Sequence, residues 1–178
     1  MAEKACRPDS NLLMVHQLAQ VNIARMRAGT GDTIMHELVS RVEEMNRLAE
    51  TSTGFVWRLT GQESTPEKLT PLRDYFIPFT PELIFYNMSV WESAEHLRRY
   101  VYQTLHKEML RGKHSWVQQL DRPQLALWWV VAGYRPTIEE SVERLWFLNK
   151  NGPTEYAFTL ARTFPPPDQV SSAPRPNI

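Results

Sequence analysis

Two histidines are the residues of this sequence best suited to move a proton. His16 lies on the same side of an expected strand as Asn22, and His106 lies where the second of two consecutive helices is expected to begin. Histidine titrates near neutral pH, and so it can serve as a general acid or base inside a pocket. We therefore predict His16 and His106 as catalytic residues. The alternative is a structurally hydrogen-bonded or exposed histidine for His16 and a solvent-facing helix residue for His106.

Aromatic and polar side chains on the expected strands form a second group. Tryptophan rings combined with one or two polar groups suit a flat apolar ligand in a cavity. Aromatic residues at strand spacing are also typical of a core or a dimer interface, and that alternative stays open. The predicted substrate-binding residues are Asn22, Trp57, Tyr86, Asn87, Trp91 and Trp129.

The spacing of possible ligands does not predict a metal site. His106 and His114 are ~12 Å apart along one expected helix, which is too far for both to bind one metal ion. The sequence contains no GxGxxG motif, phosphate-binding loop or nucleophile elbow, which argues against nicotinamide, nucleotide and serine-hydrolase chemistry. We expect no metal and no cofactor, although a haem iron held by one histidine needs no motif and stays open.

Charge and composition exclude several classes of partner. The 20 basic side chains balance the 20 acidic ones, so there is no electrostatic reason to expect nucleic acid or an anionic membrane as a partner. Cys6 is the single cysteine, which excludes an internal disulfide. Met1–Asn11 lacks the apolar core of a signal peptide, and the longest apolar run, Leu125–Ala132, is far too short to span a membrane. A soluble, cytoplasmic protein is expected.

Hydrophobic periodicity predicts the elements that must position these residues. Five strands and four helices are expected, most of them from alternation with a period of two or from apolar stripes at helical spacing, and the last helix from the capping box of Thr137 and Glu140. The face of the first strand that carries His16, Leu18, Gln20 and Asn22 is unusually polar, which is typical either of solvent exposure or of a ligand cavity. The predicted strands are Leu12–Ala24, Phe55–Thr60, Leu83–Trp91, Gln124–Val131 and Glu155–Ala161, and the predicted helices are Thr33–Ala49, one capped by Ser93, Leu105–Leu120 and Ile138–Lys150.

The order of these elements predicts an α+β fold of the ferredoxin-like kind. Strand–helix–strand occurs twice, which is the split β-α-β plan of an antiparallel four-stranded sheet with helices on one face. An extra helix and strand follow at the C-terminal end. The other face of the sheet would be open and apolar, and two copies would then associate through it as a homodimer.

The chain is expected to form one domain between two tails. We predict a flexible tail at residues 1–11, the domain at 12–163 and a proline-rich tail at 164–178. The connection Gly61–Pro81 contains four prolines and several apolar residues. A connection this long is usually functional or mobile, so it is either a lid over a pocket or a segment packed against the sheet edge.

Several long runs of this sequence resemble one known family. They are HQLAQVNIARMRA, GFVWRL, NMSVWESAEHLRRYVYQTLH, DRPQLALWWVVAGYRPTIEESVERL and NGPTEYAFTL, which lie between about Val15 and Pro167. Together they resemble the domain-of-unknown-function family DUF3291 of the dimeric α+β barrel superfamily. That superfamily also resembles antibiotic-biosynthesis monooxygenases, polyketide cyclases, muconolactone isomerases and haem-binding proteins. The resemblance implies a barrel fold with a pocket but no particular reaction, and it supplies no catalytic residues.

These observations lead to one functional hypothesis and two alternatives. The hypothesis is a cofactor-independent tailoring enzyme of secondary metabolism, which closes a ring or isomerises a hydrophobic substrate in the cavity, for example by a Diels–Alder reaction. The first alternative is a monooxygenase that is cofactor-free or haem-dependent. The second is a non-catalytic dimer that binds a small molecule or is purely structural.

Overall fold

The computed structural model describes residues 15–105 and 116–167. The described part contains three α-helices and three short 3-10 helices, at Thr33–Met35, Pro66–Leu72 and Pro81–Leu83. The predicted strands and helices in this part are largely confirmed, with shifts at their ends. His106 and most of the second predicted helix lie outside the described residues. The strands are β1 (His16–Met26), β2 (Phe55–Arg58), β3 (Ile84–Trp91), β4 (Val117–Gln118) and β5 (Leu125–Val131), and the helices are α1 (His36–Thr51), α2 (Ala94–Leu105) and α3 (Ile138–Asn151).

A five-stranded antiparallel sheet forms the centre of this mixed α/β protein, and β1 lies in its middle. One edge of β1 pairs with β3, where Gln20 lies opposite Ser89 and Asn22 opposite Asn87. The other edge pairs with β5 and, beyond it, with the two residues of β4. β2 pairs with the outer edge of β3, so the main order is β2-β3-β1-β5.

Helices α1 and α2 cover the first face of the sheet. Successive side chains of a strand point to opposite faces, and here Leu18 of β1, Trp91 of β3 and Leu127 of β5 share one side. Ala49 of α1 and Leu97 of α2 pack against them in one buried cluster. This face also contains Gln20, Asn22 and Asn87, because they share the same alternation.

The prediction that helices cover only one face is wrong, because α3 covers the second face. Its apolar stripe packs against Ala126, Trp128 and Val130 of β5 and against the odd-numbered residues of β1. The long two-sided apolar strand is therefore buried within one chain. The second face is not left open for a second copy. The residues of the α3 stripe are Ile138, Val142, Leu145 and Leu148.

The proline-rich connection packs against the same second face, beside α3. Leu69, Leu72, Tyr75 and Phe76 are buried there. The Tyr75 hydroxyl donates to the Pro123 carbonyl over 2.7 Å, and the guanidinium of the buried Arg25 donates to the Pro78 carbonyl over 2.5 Å. This part of the connection therefore completes the core of the second face.

Two further predictions about elements are wrong. The helix predicted to run to Leu120 has ended before Val117–Gln118, which pairs as β4 with the end of β1. In the predicted strand Glu155–Ala161, Phe158 alone pairs with the sheet, through two 2.9 Å hydrogen bonds with Leu127. The neighbouring backbone groups bond locally instead, since Thr154 donates to the Ala157 carbonyl over 2.9 Å.

Gly54 sits at a turn that only glycine can form without strain. Its φ is +79°, and a Cβ at this position would overlap the imidazole ring of His96. Gly133 has a similar φ of +84° but open space around it. Gly54→Ala should therefore lower the free energy of unfolding by more than Gly133→Ala, which should cost only the left-handed backbone, about 1–2 kcal/mol. Urea titration followed by circular dichroism measures both.

The double variant Gly54→Ala with His96→Gly separates the two causes, because the His96 Cβ would itself lie 2.6 Å from the new Cβ and must be removed with the ring. Relative to His96→Gly alone, Gly54→Ala should then cost about as much as Gly133→Ala. Equal losses for the two single glycine variants would contradict this account of the turn.

Candidate functional site

A cavity of about 270 Å³ lies between the first face of the sheet and the helices α1 and α2. Its apolar wall comes from both layers and from the segment after α3. The apolar residues include Val42 and Met45 of α1, Phe85 of β3, Leu97 of α2, Leu125 of β5 and Leu160. The cavity is partly open to solvent, so a small molecule has a path into it.

The polar groups of the cavity wall are mostly side-chain amides. Within the described part of the chain no charged side chain lines it, and the Tyr100 hydroxyl, which also lines it, donates to the Met45 carbonyl over 3.1 Å. Amides donate and accept hydrogen bonds but carry no charge near neutral pH. The wall therefore suits an uncharged ligand. The amide residues are Gln20, Asn22, Asn46, Asn87 and Gln124.

A buried chain of hydrogen bonds fixes one of these amides. The Gln20 amide nitrogen donates to Asn87 Oδ1 over 2.8 Å and to Ser89 Oγ over 2.9 Å. Trp91 Nε1 donates to the same Ser89 oxygen over 2.9 Å. Gln20, Ser89 and Trp91 are 7%, 5% and 0% exposed, so these bonds form in a region from which water is largely excluded. Such bonds are stronger than in water, and breaking one is correspondingly costly.

Strand register explains why this chain of bonds can form. Gln20 faces Ser89, and Asn22 faces Asn87, across the β1–β3 pair. Side chains directly opposite each other on one face lie close together, with Cβ atoms about 5 Å apart. The polar residues Gln20 and Asn22 of β1 thus lie opposite polar residues of β3, on the face of the sheet that borders the cavity.

The structure brings together only some of the predicted site residues. Asn22 and Asn87 both line the cavity. Trp91 lies beneath it, completely buried, as the end of the hydrogen-bond chain. Trp129 is on the same face but is engaged elsewhere, since its indole nitrogen donates to the Phe164 carbonyl over 2.8 Å.

Trp57 and Tyr86 lie on the second face of the sheet, packed against its core. The Tyr86 hydroxyl is 2.7 Å from Ser141 Oγ of α3. Burial raises the pKa of Tyr86 above its usual value, and the hydrogen bond with Ser141 opposes that rise only in part. Trp57 and Tyr86 therefore do not line this cavity, although both were predicted to bind substrate.

His16, one of the two predicted catalytic histidines, does not line the cavity. His16 begins β1 and lies opposite Val131, six residues before Asn22, or about 20 Å along an extended strand. His106 lies outside the described residues. Proton transfer by His16 to a ligand beside Asn22 is therefore not supported by the geometry, although the role of both histidines stays a prediction.

Sequence reasoning missed Gln20, Ser89, Asn46 and Gln124 as site residues. A signal for Gln20 existed, because it lies on the polar face of the first strand together with Asn22. Ser89 continues the same face from Asn87 by alternation. No sequence pattern indicated Asn46, which follows the apolar stripe residue Met45, or Gln124, which lies at the start of a strand.

A second, wider opening of about 600 Å³ lies beside the proline-rich connection. Glu63 at its wall accepts hydrogen bonds from the backbone nitrogen and hydroxyl of Thr60 over 2.9 and 2.7 Å, and these bonds lower the pKa of Glu63. Its other walls include Lys68 and Glu139. This charged and shallow surface lacks the buried polar chain of the first cavity.

The described residues contain neither a metal-binding cluster nor a membrane-spanning helix. In this part of the chain no group of three histidine, cysteine or acidic residues is arranged to hold a metal ion. None of the helices described here has the length and apolar content needed to cross a membrane.

Comparison with known proteins gives a family but no activity. The model of a family described as a domain of unknown function (DUF3291) matches residues 17–174. A search of curated proteins gives no match. Among solved structures, the chain is similar to the NE2512 protein of unknown function from Nitrosomonas europaea, with 9% sequence identity and a TM-score of 0.42 over 69% of this chain and 95% of that one.

Removing the shared acceptor should destabilise the fold. Ser89→Ala leaves the Trp91 indole and one Gln20 hydrogen without an acceptor in a buried region, which should cost about 1–3 kcal/mol of unfolding free energy. Ser64→Ala is the control, because the Ser64 hydroxyl bonds to the Thr60 carbonyl at the surface. Urea titration should show a clearly larger loss of unfolding free energy for Ser89→Ala than for Ser64→Ala. Similar losses for the two variants would contradict the expected contribution of this buried chain to stability.

The raised pKa of Tyr86 predicts a loss of stability at alkaline pH. The folded state holds the Tyr86 proton more tightly than the unfolded state, so this contribution is complete below the unfolded pKa of about 10 and is lost as the pH rises from there towards the folded pKa. Tyr86→Phe should be less stable than the wild type below about pH 9 and should lose less stability between about pH 9 and 11.

Urea titrations at several pH values measure this slope. Tyr102→Phe, which removes the hydroxyl of an exposed tyrosine, is the control and should change the slope less than Tyr86→Phe does. An unchanged slope in Tyr86→Phe would show that Tyr86 does not contribute to it.

Proposed function

We propose that this chain, which belongs to the DUF3291 family, binds a small, uncharged and largely apolar molecule in the cavity between the sheet and helices α1 and α2. The observation that carries the proposal is the buried chain Trp91–Ser89–Gln20–Asn87, which holds two of the amides of the wall in a fixed orientation. Buried polar groups are costly unless they are bonded, and a network of this kind serves to fix a polar group in a defined orientation.

The size and chemistry of the cavity limit the ligand. A volume of about 270 Å³ is close to the lower end of the range for small-molecule pockets, about 300–1,000 Å³. A charged ligand would lose its hydration without gaining a counter-charge from the described wall. A compact ring system with few polar atoms is the class of ligand that fits both constraints.

Catalysis without a cofactor is the second candidate function, and the fixed Asn87 amide favours it. A cavity that holds a reactive molecule in one conformation accelerates ring closure or isomerisation by orientation. An amide hydrogen aimed at a carbonyl oxygen adds stabilisation as negative charge develops there. This supports a cyclase or isomerase more than a monooxygenase, for which the described wall offers no specific feature.

The ferredoxin-like fold and the homodimer belong to the same proposal. The strand order β2-β3-β1-β5, with antiparallel pairing throughout, supports the split β-α-β plan. Because α3 and the proline-rich connection cover the second face, a homodimer would have to use another surface.

Blocking the cavity tests the binding proposal. Asn22 lies at the exposed rim of the cavity, so Asn22→Trp should fill its mouth while leaving the core intact. Val56→Trp is the matched control, because Val56 is exposed on the edge strand β2 and does not line the cavity. The probe is acetylnaphthalene, an uncharged two-ring ketone, and its affinity is measured by isothermal titration calorimetry.

We expect the wild type and Val56→Trp to bind the probe and Asn22→Trp to bind at least about tenfold more weakly, or 1.4 kcal/mol. Circular dichroism and thermal unfolding verify that each variant is folded. Equal binding by all three proteins, or no binding by the folded wild type, would contradict the proposal.

A further inference from the structure

We infer that the cavity recognises its ligand by a neutral carbonyl-type oxygen, which accepts a hydrogen bond from the Asn87 side-chain amide. The inference rests on the proposed function, because it names the class of ligand for the same cavity. It follows from the direction in which hydrogen bonds run along the buried chain and from the absence of charge in the described wall.

The direction of the bonds begins at Trp91. An indole nitrogen can only donate, so Ser89 Oγ must accept from Trp91 Nε1. Gln20 places its amide nitrogen between Ser89 Oγ and Asn87 Oδ1, at 2.9 and 2.8 Å, and so both of its amide hydrogens are used. The oxygen of Asn87 is therefore engaged within the protein.

The Asn87 amide nitrogen is what remains for a ligand. Asn87 Oδ1 accepts from Gln20, but the Asn87 amide nitrogen makes no hydrogen bond to another described residue. Asn87 also lines the cavity. Asn22 lies directly opposite Asn87 on β1 and brings a second amide to the same spot. A ligand oxygen that accepts from Asn87, as in a ketone, ester, lactone or quinone, completes the chain of bonds.

Two kinds of ligand of similar shape should bind less well, one because of its charge and the other because it lacks an acceptor. A carboxylate has oxygens that could accept from Asn87, but its negative charge would be buried without a cation among the described lining residues. A hydrocarbon of the same shape would leave the Asn87 donor without a partner when it displaces water. The cavity should therefore prefer a neutral carbonyl compound over both.

Three probes that share the naphthalene ring test this preference. Acetylnaphthalene carries the acceptor, isopropenylnaphthalene has the same shape without it, and naphthoate carries a negative charge. We expect the ketone to bind about three- to tenfold more tightly than the alkene, as one neutral hydrogen bond provides. Naphthoate should bind more weakly than the ketone by at least about tenfold.

Asn87→Asp removes the donor and adds a negative charge. The new carboxylate can still accept from Gln20, which preserves the buried chain, but it offers the ligand an acceptor in place of an amide hydrogen. The ketone should then lose its advantage over the alkene. Asn46→Asp is the matched control, because it adds the same charge to the same cavity and leaves Asn87 unchanged, and it should keep the ketone ahead of the alkene.

The outcomes separate this inference from the function on which it rests. If ketone and alkene bind equally well to the wild type and both are blocked by Asn22→Trp, the cavity binds ligands but the inference is overturned. A preference for naphthoate, or for the alkene, would also overturn it. If none of the probes binds, the proposed function fails as well. Should Asn87→Asp not fold, the ratio of the two neutral probes in the wild type still decides.

Discussion

The buried amide of Gln20 is the constraint on which the architecture of this protein depends. It lies in the middle of a strand that is paired on both edges and covered on both faces. Both of its hydrogens need acceptors there, because water is largely excluded. Asn87 and Ser89 provide them only if β1 and β3 pair in the observed register. A slip of one residue would move the amide to the apolar second face, so this one side chain helps to specify the pairing.

The two faces of the sheet differ in composition. The second face is apolar and is closed by α3 and the proline-rich connection, which makes it the larger part of the core. The first face combines an apolar cluster around Trp91 with a polar strip at Gln20 and Asn87, and the cavity opens over that strip. The closely packed second face thus supports the face over which the cavity opens.

Much of the fold could be predicted from the sequence, because periodicity reports directly which residues share a face. The strands β1, β3 and β5 and the cap of α3, where Thr137 accepts from the Glu140 backbone, follow from local patterns. The apolar stripe of α3 was also visible, but a stripe does not tell which face of a sheet it will cover. The two residues of β4 are too few to show any period.

The candidate site was harder to predict, because alternation gives the face of a residue but not its distance from another. His16 and Asn22 share a face and yet lie far apart along β1. Tyr86 and Asn87 are neighbours on one strand and must point to opposite faces, so the sequence alone could have shown that they do not share a pocket. The hydrogen bonds of Gln20 depend on the register between β1 and β3, and that register cannot be read from the sequence.

Nuclear magnetic resonance of the side-chain amides tests the central claim most directly. In protein labelled with nitrogen-15, hydrogen exchange of the Gln20 amide is compared with that of Gln62, which is exposed. The account predicts much slower exchange for Gln20, and it predicts that acetylnaphthalene shifts the Asn87 amide signals while Gln20 stays protected. Exchange of Gln20 as fast as that of Gln62 would contradict the account, because its amide would then not be fixed in the buried chain of hydrogen bonds.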